Sequence, residues 1–136
     1  MREEIPDYLR RLVIERAGNC CEYCLLPQWA ALHKHEPDHI ISTQHGGKTE
    51  ESNLALACLR CNRYKGPNVG SFDPLTGQLV PLFHPRLHIW PDHFVLEGAT
   101  IRAHTAEARA TIKPLCLNDE DHITERRRLL DAGLYG

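Results

Sequence analysis

The sequence predicts an α+β domain whose short strands and helices are held together by cysteines. Two Cys-x-x-Cys pairs, Cys21/Cys24 and Cys58/Cys61, bracket the middle of the chain. Apolar residues at helical spacing precede the first pair, and short runs bounded by turn and cap residues follow the second. Because 136 residues suffice for one core, we expect a single domain over residues 1–136.

The N-terminal segment, residues 1–19, is predicted to be an amphipathic helix. Pro6 suits the first turn of a helix, where its missing N–H is not needed. Apolar residues then recur at helical spacing: Ile5, Leu9, Leu12, Val13 and Ala17. Gly18-Asn19 suit the C-terminal end of a helix. This helix should cover a core and lead into the first cysteine pair.

The central segment, residues 20–67, is predicted to contain strands and one short helix. Its β-branched residues, its Gly-Gly pair and the stop at Gly66-Pro67 set the order of elements. The expected elements are a strand over Leu32–Ser42, a loop at Gly46-Gly47, a strand or helical turn over residues 53–58 and a helix over residues 59–65.

The C-terminal segment, residues 68–136, is predicted to form hairpins followed by helices. Turn residues stand at Asp73-Pro74 and Gly77, and a second hairpin should turn at Gly98. Thr105 can cap a helix that runs to about Lys113. A last helix, ending near Asp131, is expected to begin at an Asn118 cap.

The spacing of the two cysteine pairs predicts a structural zinc site. A two-residue spacer lets both thiolates of a pair reach one ion, and two pairs complete a closed tetrahedral site. Cys20 is an alternative to Cys21 as the first zinc ligand, but only Cys21 gives a first pair with the spacing of Cys58 and Cys61. Disulfides are the less favoured alternative, since nothing in the N-terminal sequence resembles an export signal.

Composition excludes several classes of protein. A formal net charge of −2 does not suit a chain that binds nucleic acid along its whole length, so phosphate contacts need local basic patches. The first such patch is Arg60, Arg63 and Lys65, and the second, Arg126-Arg127-Arg128, is interpreted as a solvated helix face. No apolar run approaches the length of a membrane span, and we expect a cytoplasmic protein with no membrane partner.

The segment between the cysteine pairs carries residues suited to phosphodiester hydrolysis. Asp38-His39 offers a hard oxygen ligand for Mg²⁺ beside an imidazole whose ordinary pKa is near neutrality. Neighbours on a strand point to opposite faces, so these two side chains need a turn or a distorted strand to converge. Alone, Asn53 is typical of a cap or turn, and Asn62 of an exposed helix position.

Together these motifs resemble the HNH endonuclease family. The resemblance covers residues 21–66 and rests on Cys-Glu-Tyr-Cys, Pro-Asp-His-Ile-Ile, Gly-Gly, Asn-Leu and Cys-Leu-Arg-Cys-Asn-Arg-Tyr-Lys-Gly. It implies a ββα-metal (His-Me finger) core with the zinc knuckles flanking it. The predicted fold is such a core stapled by the four-cysteine zinc site, with the N-terminal helix and a C-terminal hairpin and helical extension. It further implies cleavage or nicking of DNA with Mg²⁺ or Mn²⁺.

The resemblance also assigns roles to residues. His39 matches the general base that activates water, and Asn53 matches the residue that orients the loop and the base. Asp38 and Asn62 match the two ligands of the catalytic divalent ion. Many family members have His at the last of these positions, and the Asn62 amide oxygen favours harder ions. His45 has no assigned role, although it could approach the scissile phosphate.

The leading hypothesis is therefore a metal-dependent endonuclease that leaves 5′-phosphate and 3′-hydroxyl ends, acting as a monomer or weak dimer. Arg60, Arg63 and Lys65 are the predicted nucleic-acid contacts. The alternative is a non-catalytic zinc-stapled module that binds nucleic acid or protein. A thiol redox protein is disfavoured because no thioredoxin-like βαβ pattern is present. The sequence leaves open the target sequence, DNA against RNA, and a nick against a double-strand break.

Overall fold

The computed structural model describes residues 4–135. These residues divide into two compact units, one before and one after the boundary between Val69 and Gly70. The boundary falls close to the end of the predicted central segment at residue 67. Each unit contains short strands paired in antiparallel hairpins, with helices beside them. The prediction of one domain over residues 1–136 stays a prediction. Among the described residues, no helix is both long enough and apolar enough to cross a bilayer.

The first unit begins with the predicted N-terminal helix, α1 (Asp7–Arg16). Pro6 is its N-cap, one position before the expected first turn, and Gly18 and Asn19 leave the helix with φ of 61° and 58°. The buried face packs against a strand described below, in a core made of Ile5, Leu9, Val13, Leu54 and Leu56. Burial of these side chains explains the helical spacing of the apolar residues.

A strand–strand–helix unit follows α1. Strands β1 (Glu36–His39) and β2 (Leu54–Ala57) pair in an antiparallel hairpin with Glu36 opposite Ala57 and His39 opposite Leu54. Helix α2 (Leu59–Lys65) follows directly, with the bounds that the sequence predicts. The Arg16 guanidinium ties α1 to this hairpin by donating to the carbonyls of Glu51 and Leu54 at 3.0 and 2.7 Å.

The first predicted strand is much shorter than Leu32–Ser42. Strand β1 ends at His39, and Ile41 is 39% exposed. The physical reason is that the Ile41 peptide pairs with the side chain of Asn53 instead of a neighbouring strand. The open choice for residues 53–58 resolves as a strand, β2, preceded by a 3₁₀ turn over Glu51–Asn53.

The second unit contains two hairpins and three helices within its described residues. The elements are β3 (Gly70–Phe72), β4 (Leu79–Pro81), α3 (Trp90–His93), β5 (Phe94–Glu97), β6 (Thr100–Ala103), α4 (Ala106–Ile112) and α5 (Glu120–Asp131). β3 pairs with β4, and β5 pairs with β6 across the predicted turn at Gly98, whose φ is 60°. The Thr105 hydroxyl caps α4 as expected, accepting a hydrogen bond from Ala108 N–H.

The predicted cap of the last helix is wrong by one residue. Asp119, not Asn118, is the N-cap of α5, and its carboxylate accepts from the His122 N–H at 2.9 Å. The Asn118 amide is engaged elsewhere, because it bonds both the N–H and the carbonyl of Ile101 on β6 at 2.9 and 2.8 Å. Asn118 therefore ties the second hairpin to the turn before α5.

Candidate functional site

Four buried cysteines lie together in the first unit. The Sγ atoms of Cys21, Cys24, Cys58 and Cys61 all lie within 4.8 Å of one another, and Cys24 and Cys58 are 3.7 Å apart. These are the four residues that the spacing predicts. Cys20 lies outside this cysteine cluster and is half-buried. All six cysteines are free thiols in the structure, so no disulfide is formed.

The first half of the cluster is a tight turn held by backbone hydrogen bonds. The Cys21 carbonyl accepts from Leu25 N–H and the Cys21 N–H donates to the Leu26 carbonyl, both at 2.9 Å. Leu25 adopts a left-handed φ of 67° to close this turn. Glu22 then docks the turn on β2, since its N–H donates to the Leu56 carbonyl at 2.8 Å and its carboxylate accepts from the Leu56 N–H at 2.7 Å.

The second half of the cluster is the start of α2. Cys58 is the N-cap of this helix, and its Sγ accepts a hydrogen bond from the Cys61 N–H at 3.5 Å. Because β2 leads straight into Cys58, the same strand that anchors the first turn also positions the second pair. The hairpin and α2 thus bring together thiols that are more than thirty residues apart in the chain.

The cysteine cluster fits a tetrahedral zinc ion. Zinc–sulfur bonds of about 2.3 Å place neighbouring sulfurs about 3.8 Å apart, close to the Cys24–Cys58 separation. Hydrogen bonding to the Cys21 and Cys58 thiols raises the pKa of Cys24, and burial raises it further. The Cys61 pKa is raised by the same kind of contacts, first with Cys21. Buried thiols of this kind lose their protons when a cation shares the site, so the cluster suits a structural metal.

A cleft of about 420 Å³ lies at the end of β1 beside α2. Asp38, His39 and Asn62 all line it. The two adjacent residues Asp38 and His39 thus both reach one cavity at the end of the strand. Arg63 also lines the cleft and is exposed. Its remaining lining residues are Ser42, Thr43, Gln44, Gly66 and Pro67. A carboxylate, an amide oxygen and an imidazole in one cleft are a donor set suited to a hard divalent ion and a base.

Asn53 does not line the cleft but fixes the loop that forms one of its walls. Its Oδ1 accepts from Ile41 N–H at 2.8 Å, and its Nδ2 donates to the carbonyls of Ile41 and Lys48 at 2.9 Å. Asn53 is 7% exposed. Gly47 permits this packing, because a Cβ there would lie 1.7 Å from the Ile41 carbonyl oxygen. Residues 41–48 are therefore held in one closed turn around a single amide.

Two contacts of His39 were not anticipated from the sequence. Its Nε2 lies 2.8 Å from the Thr49 hydroxyl, and its carbonyl accepts a hydrogen bond from the Lys65 ammonium at 3.3 Å. Lys65 is 2% exposed. Its pKa is lowered from the ordinary value, because burial lowers it more than the nearby charge of Asp38 raises it. A helical pattern could have indicated this burial, since Lys65 lies four residues after buried Cys61 on the same face of α2.

The predicted nucleic-acid contacts occupy different environments. Arg63 is exposed at the cleft, whereas Arg60 is half-buried and outside the residues that line it. Burial of Lys65 argues against a phosphate contact by its ammonium. His45 is exposed on a 3₁₀ turn over Thr43–His45 and does not line the cleft.

Tyr23 is electrostatically coupled to both the cysteine cluster and the cleft. It is 2% exposed, and burial together with the charge of Asp38 and the thiols of Cys21 and Cys61 raises its pKa well above 10.0. The phenol therefore stays neutral at physiological pH. It adds no negative charge beside the cysteine cluster or the cleft.

Comparison with known proteins agrees with the resemblance inferred from the motifs. Residues 21–68 match the family model described as HNH endonuclease, and this segment contains the cysteine cluster, β1, β2 and α2. No curated protein and no solved structure gives a significant match to the chain. The family match supports a nuclease-type function for this segment, whereas the chemistry depends on the residues of the site itself.

Proposed function

We propose that the first unit is a metal-dependent endonuclease that hydrolyses phosphodiester bonds in DNA. The observation that carries this proposal is the cleft that Asp38, His39 and Asn62 line together. Its strand–strand–helix frame is proposed to be a ββα-metal core, stapled by zinc on the cysteine cluster. The zinc is structural because four thiolates close its coordination sphere.

The proposed chemistry places one proton transfer on His39. The imidazole takes a proton from water, and the resulting hydroxide attacks phosphorus in line with the leaving 3′ oxygen. The bond from phosphorus to that oxygen breaks, and the oxygen takes a proton from solvent, which leaves 5′-phosphate and 3′-hydroxyl ends. Asp38 and Asn62 would hold Mg²⁺ or Mn²⁺, and such an ion stabilises the negative charge that develops on the phosphate.

Arg63 is the proposed phosphate contact nearest to the reaction. It is exposed and lines the cleft, so a DNA strand entering there meets a guanidinium suited to phosphate oxygens. Since the net charge of the chain is −2, this contact is local and does not rely on a general positive field. Lys65 is instead proposed to support the end of β1 through the His39 carbonyl.

The test is metal-dependent relaxation of supercoiled plasmid. Zinc-loaded protein is incubated with Mg²⁺ or Mn²⁺ and compared with Asp38→Asn and Asn62→Ala, with exposed Asn68→Ala as the matched control for the second change. We expect nicking by the native protein and by Asn68→Ala. We expect a loss of roughly 100-fold or more in the two cleft variants, since Asn62→Ala removes a ligand of the ion and Asp38→Asn removes the negative charge that holds it.

Zinc content is measured for every variant, so that loss of the staple is separated from loss of chemistry. Native protein that carries zinc and binds DNA without nicking it in either ion would overturn the proposal. That result would favour a non-catalytic zinc-stapled binding module.

A further inference from the structure

The imidazole of His39 is held by a side chain to which the proposed chemistry gives no role. Its Nε2 lies 2.8 Å from Oγ1 of Thr49, and His39 is 3% exposed. A hydrogen bond of this length to a buried ring restricts rotation of the ring. In a neutral imidazole one nitrogen donates and the other accepts, and a hydroxyl can serve Nε2 in either role, so the direction of this hydrogen bond fixes which nitrogen carries the proton.

The backbone that leads into Thr49 is held in place by Asn53. The Asn53 amide donates to the carbonyl of Lys48, the residue directly before Thr49, at 2.9 Å. The same amide closes the loop on Ile41, and Gly47 has no room there for a side chain. A displaced Asn53 therefore shifts the peptide that carries Thr49. A continuous series of contacts runs from Asn53 through Lys48 and Thr49 to His39.

We propose that Thr49 is the positioning residue of His39, whose Nε2–H donates to the Thr49 hydroxyl and whose Nδ1 keeps the lone pair that receives the proton. This inference rests on the proposed function, in which His39 is the base. It gives Asn53 a physical route to the base, since Asn53 acts on His39 through Thr49. If the hydroxyl donated to Nε2 instead, the ring proton would sit on Nδ1 and the ring would be held in the opposite tautomer.

The kinetic test compares Thr49→Val, which removes the hydroxyl at nearly constant shape, with Thr49→Ser, which keeps it. Exposed Thr124→Val on α5 is the matched control. We expect Thr49→Val to lower kcat roughly 10- to 100-fold with little change in KM, because the lost bond is to a ring that becomes charged. Thr49→Ser should restore most of the rate. Native kcat in Thr49→Val, or a Ser variant as slow as the Val variant, overturns the inference.

A second measurement does not depend on activity or on a substitution at Thr49. The ¹⁵N shifts of the His39 ring in zinc-loaded native protein, assigned by their absence in His39→Ala, report the tautomer directly. We expect a protonated Nε2 and an unprotonated Nδ1 in the neutral ring. The opposite tautomer refutes the role of Thr49 even if the protein nicks DNA. If the ring shows the expected tautomer but the protein never nicks DNA, the proposed function is refuted, whereas the hydrogen bond between His39 and Thr49 is still supported.

Discussion

The side chain of Asn53 pairs with both backbone polar groups of Ile41, accepting from the N–H at 2.8 Å and donating to the carbonyl at 2.9 Å. One side chain thereby replaces the strand that would otherwise pair with this residue. Because the amide also donates to the Lys48 carbonyl, it satisfies three backbone groups of a loop that has no regular partner. Asn53 therefore contributes strongly to the rigidity of this wall of the cleft.

Replacement of Asn53 by Ala should destabilise the first unit by about 2–4 kcal/mol, since it leaves partly buried backbone groups without partners. The neighbouring Ser52→Ala is the control, because Ser52 is exposed and should change stability by less than about 0.5 kcal/mol. Urea unfolding of the zinc-loaded proteins measures both. Equal stability of the two variants would show that the loop is held by other means.

The cysteine cluster predicts different outcomes for two adjacent cysteines. Cys21→Ser should abolish stoichiometric zinc binding and unfold the first unit, because a small core between the two pairs depends on the ion. Cys20→Ser should keep one zinc per chain, since Cys20 lies outside the cluster. Metal analysis of the purified proteins, with circular dichroism, decides the matter. Zinc retained by Cys21→Ser would exclude the four-thiolate site.

Arg63 and Lys65 should differ in how they affect DNA binding. In a His39→Ala background, Arg63→Ala should reduce the slope of log affinity against log salt by about 1, as expected for one lost phosphate contact. Lys65→Met keeps the buried stem and should leave that slope unchanged, because the ammonium bonds the His39 carbonyl. A salt titration of binding measures both slopes. A reduced slope in Lys65→Met would mean that its ammonium reaches phosphate after all.

In the second unit, Asp73 predicts a dependence of stability on pH. Its buried carboxylate accepts two hydrogen bonds of 2.8 Å from Arg109, and this contact lowers the pKa of Asp73 well below its usual 3.8. A lowered pKa in the folded state stabilises the fold above about 3.8 and loses that effect as the pH falls toward the folded value. Asp73→Asn should therefore show a shallower loss of stability between about pH 5 and about pH 2.5.

The pH comparison is best followed by fluorescence of Trp90 in a Trp29→Phe background, since Trp29 is 63% exposed and Trp90 belongs to the second unit. The difference between the native protein and the Asp73→Asn variant removes the contributions of other carboxylates. Parallel curves for the two proteins would show that the ion pair with Arg109 does not couple folding to pH.

Much of the fold follows from local sequence, and the exceptions have physical causes. Helix α2 begins and ends as predicted because Cys58 and Gly66 bound it, and the turn at Gly98 and the Thr105 cap obey local rules. The length of β1 and the cap of α5 were wrong because the side chains of Asn53 and Asn118 pair with distant backbone, which no local pattern indicates.

The candidate site was predictable in composition but not in arrangement. The four cysteines were identified by their spacing alone. Spacing could not show that Asp38 and His39 line one cleft, since strand periodicity argues for opposite faces. The contact between Thr49 and His39 depends on the path of a loop that closes only after Asn53 and Gly47 are in place.

The most direct test of the account is the first-order rate at which zinc-loaded protein nicks supercoiled plasmid in Mg²⁺, compared between His39→Ala and His45→Ala. Both variants remove one imidazole, but only His39 lines the cleft. We predict that His45→Ala nicks within a few-fold of the native rate and that His39→Ala loses roughly 100-fold or more. Equal rates for native protein and His39→Ala would contradict it.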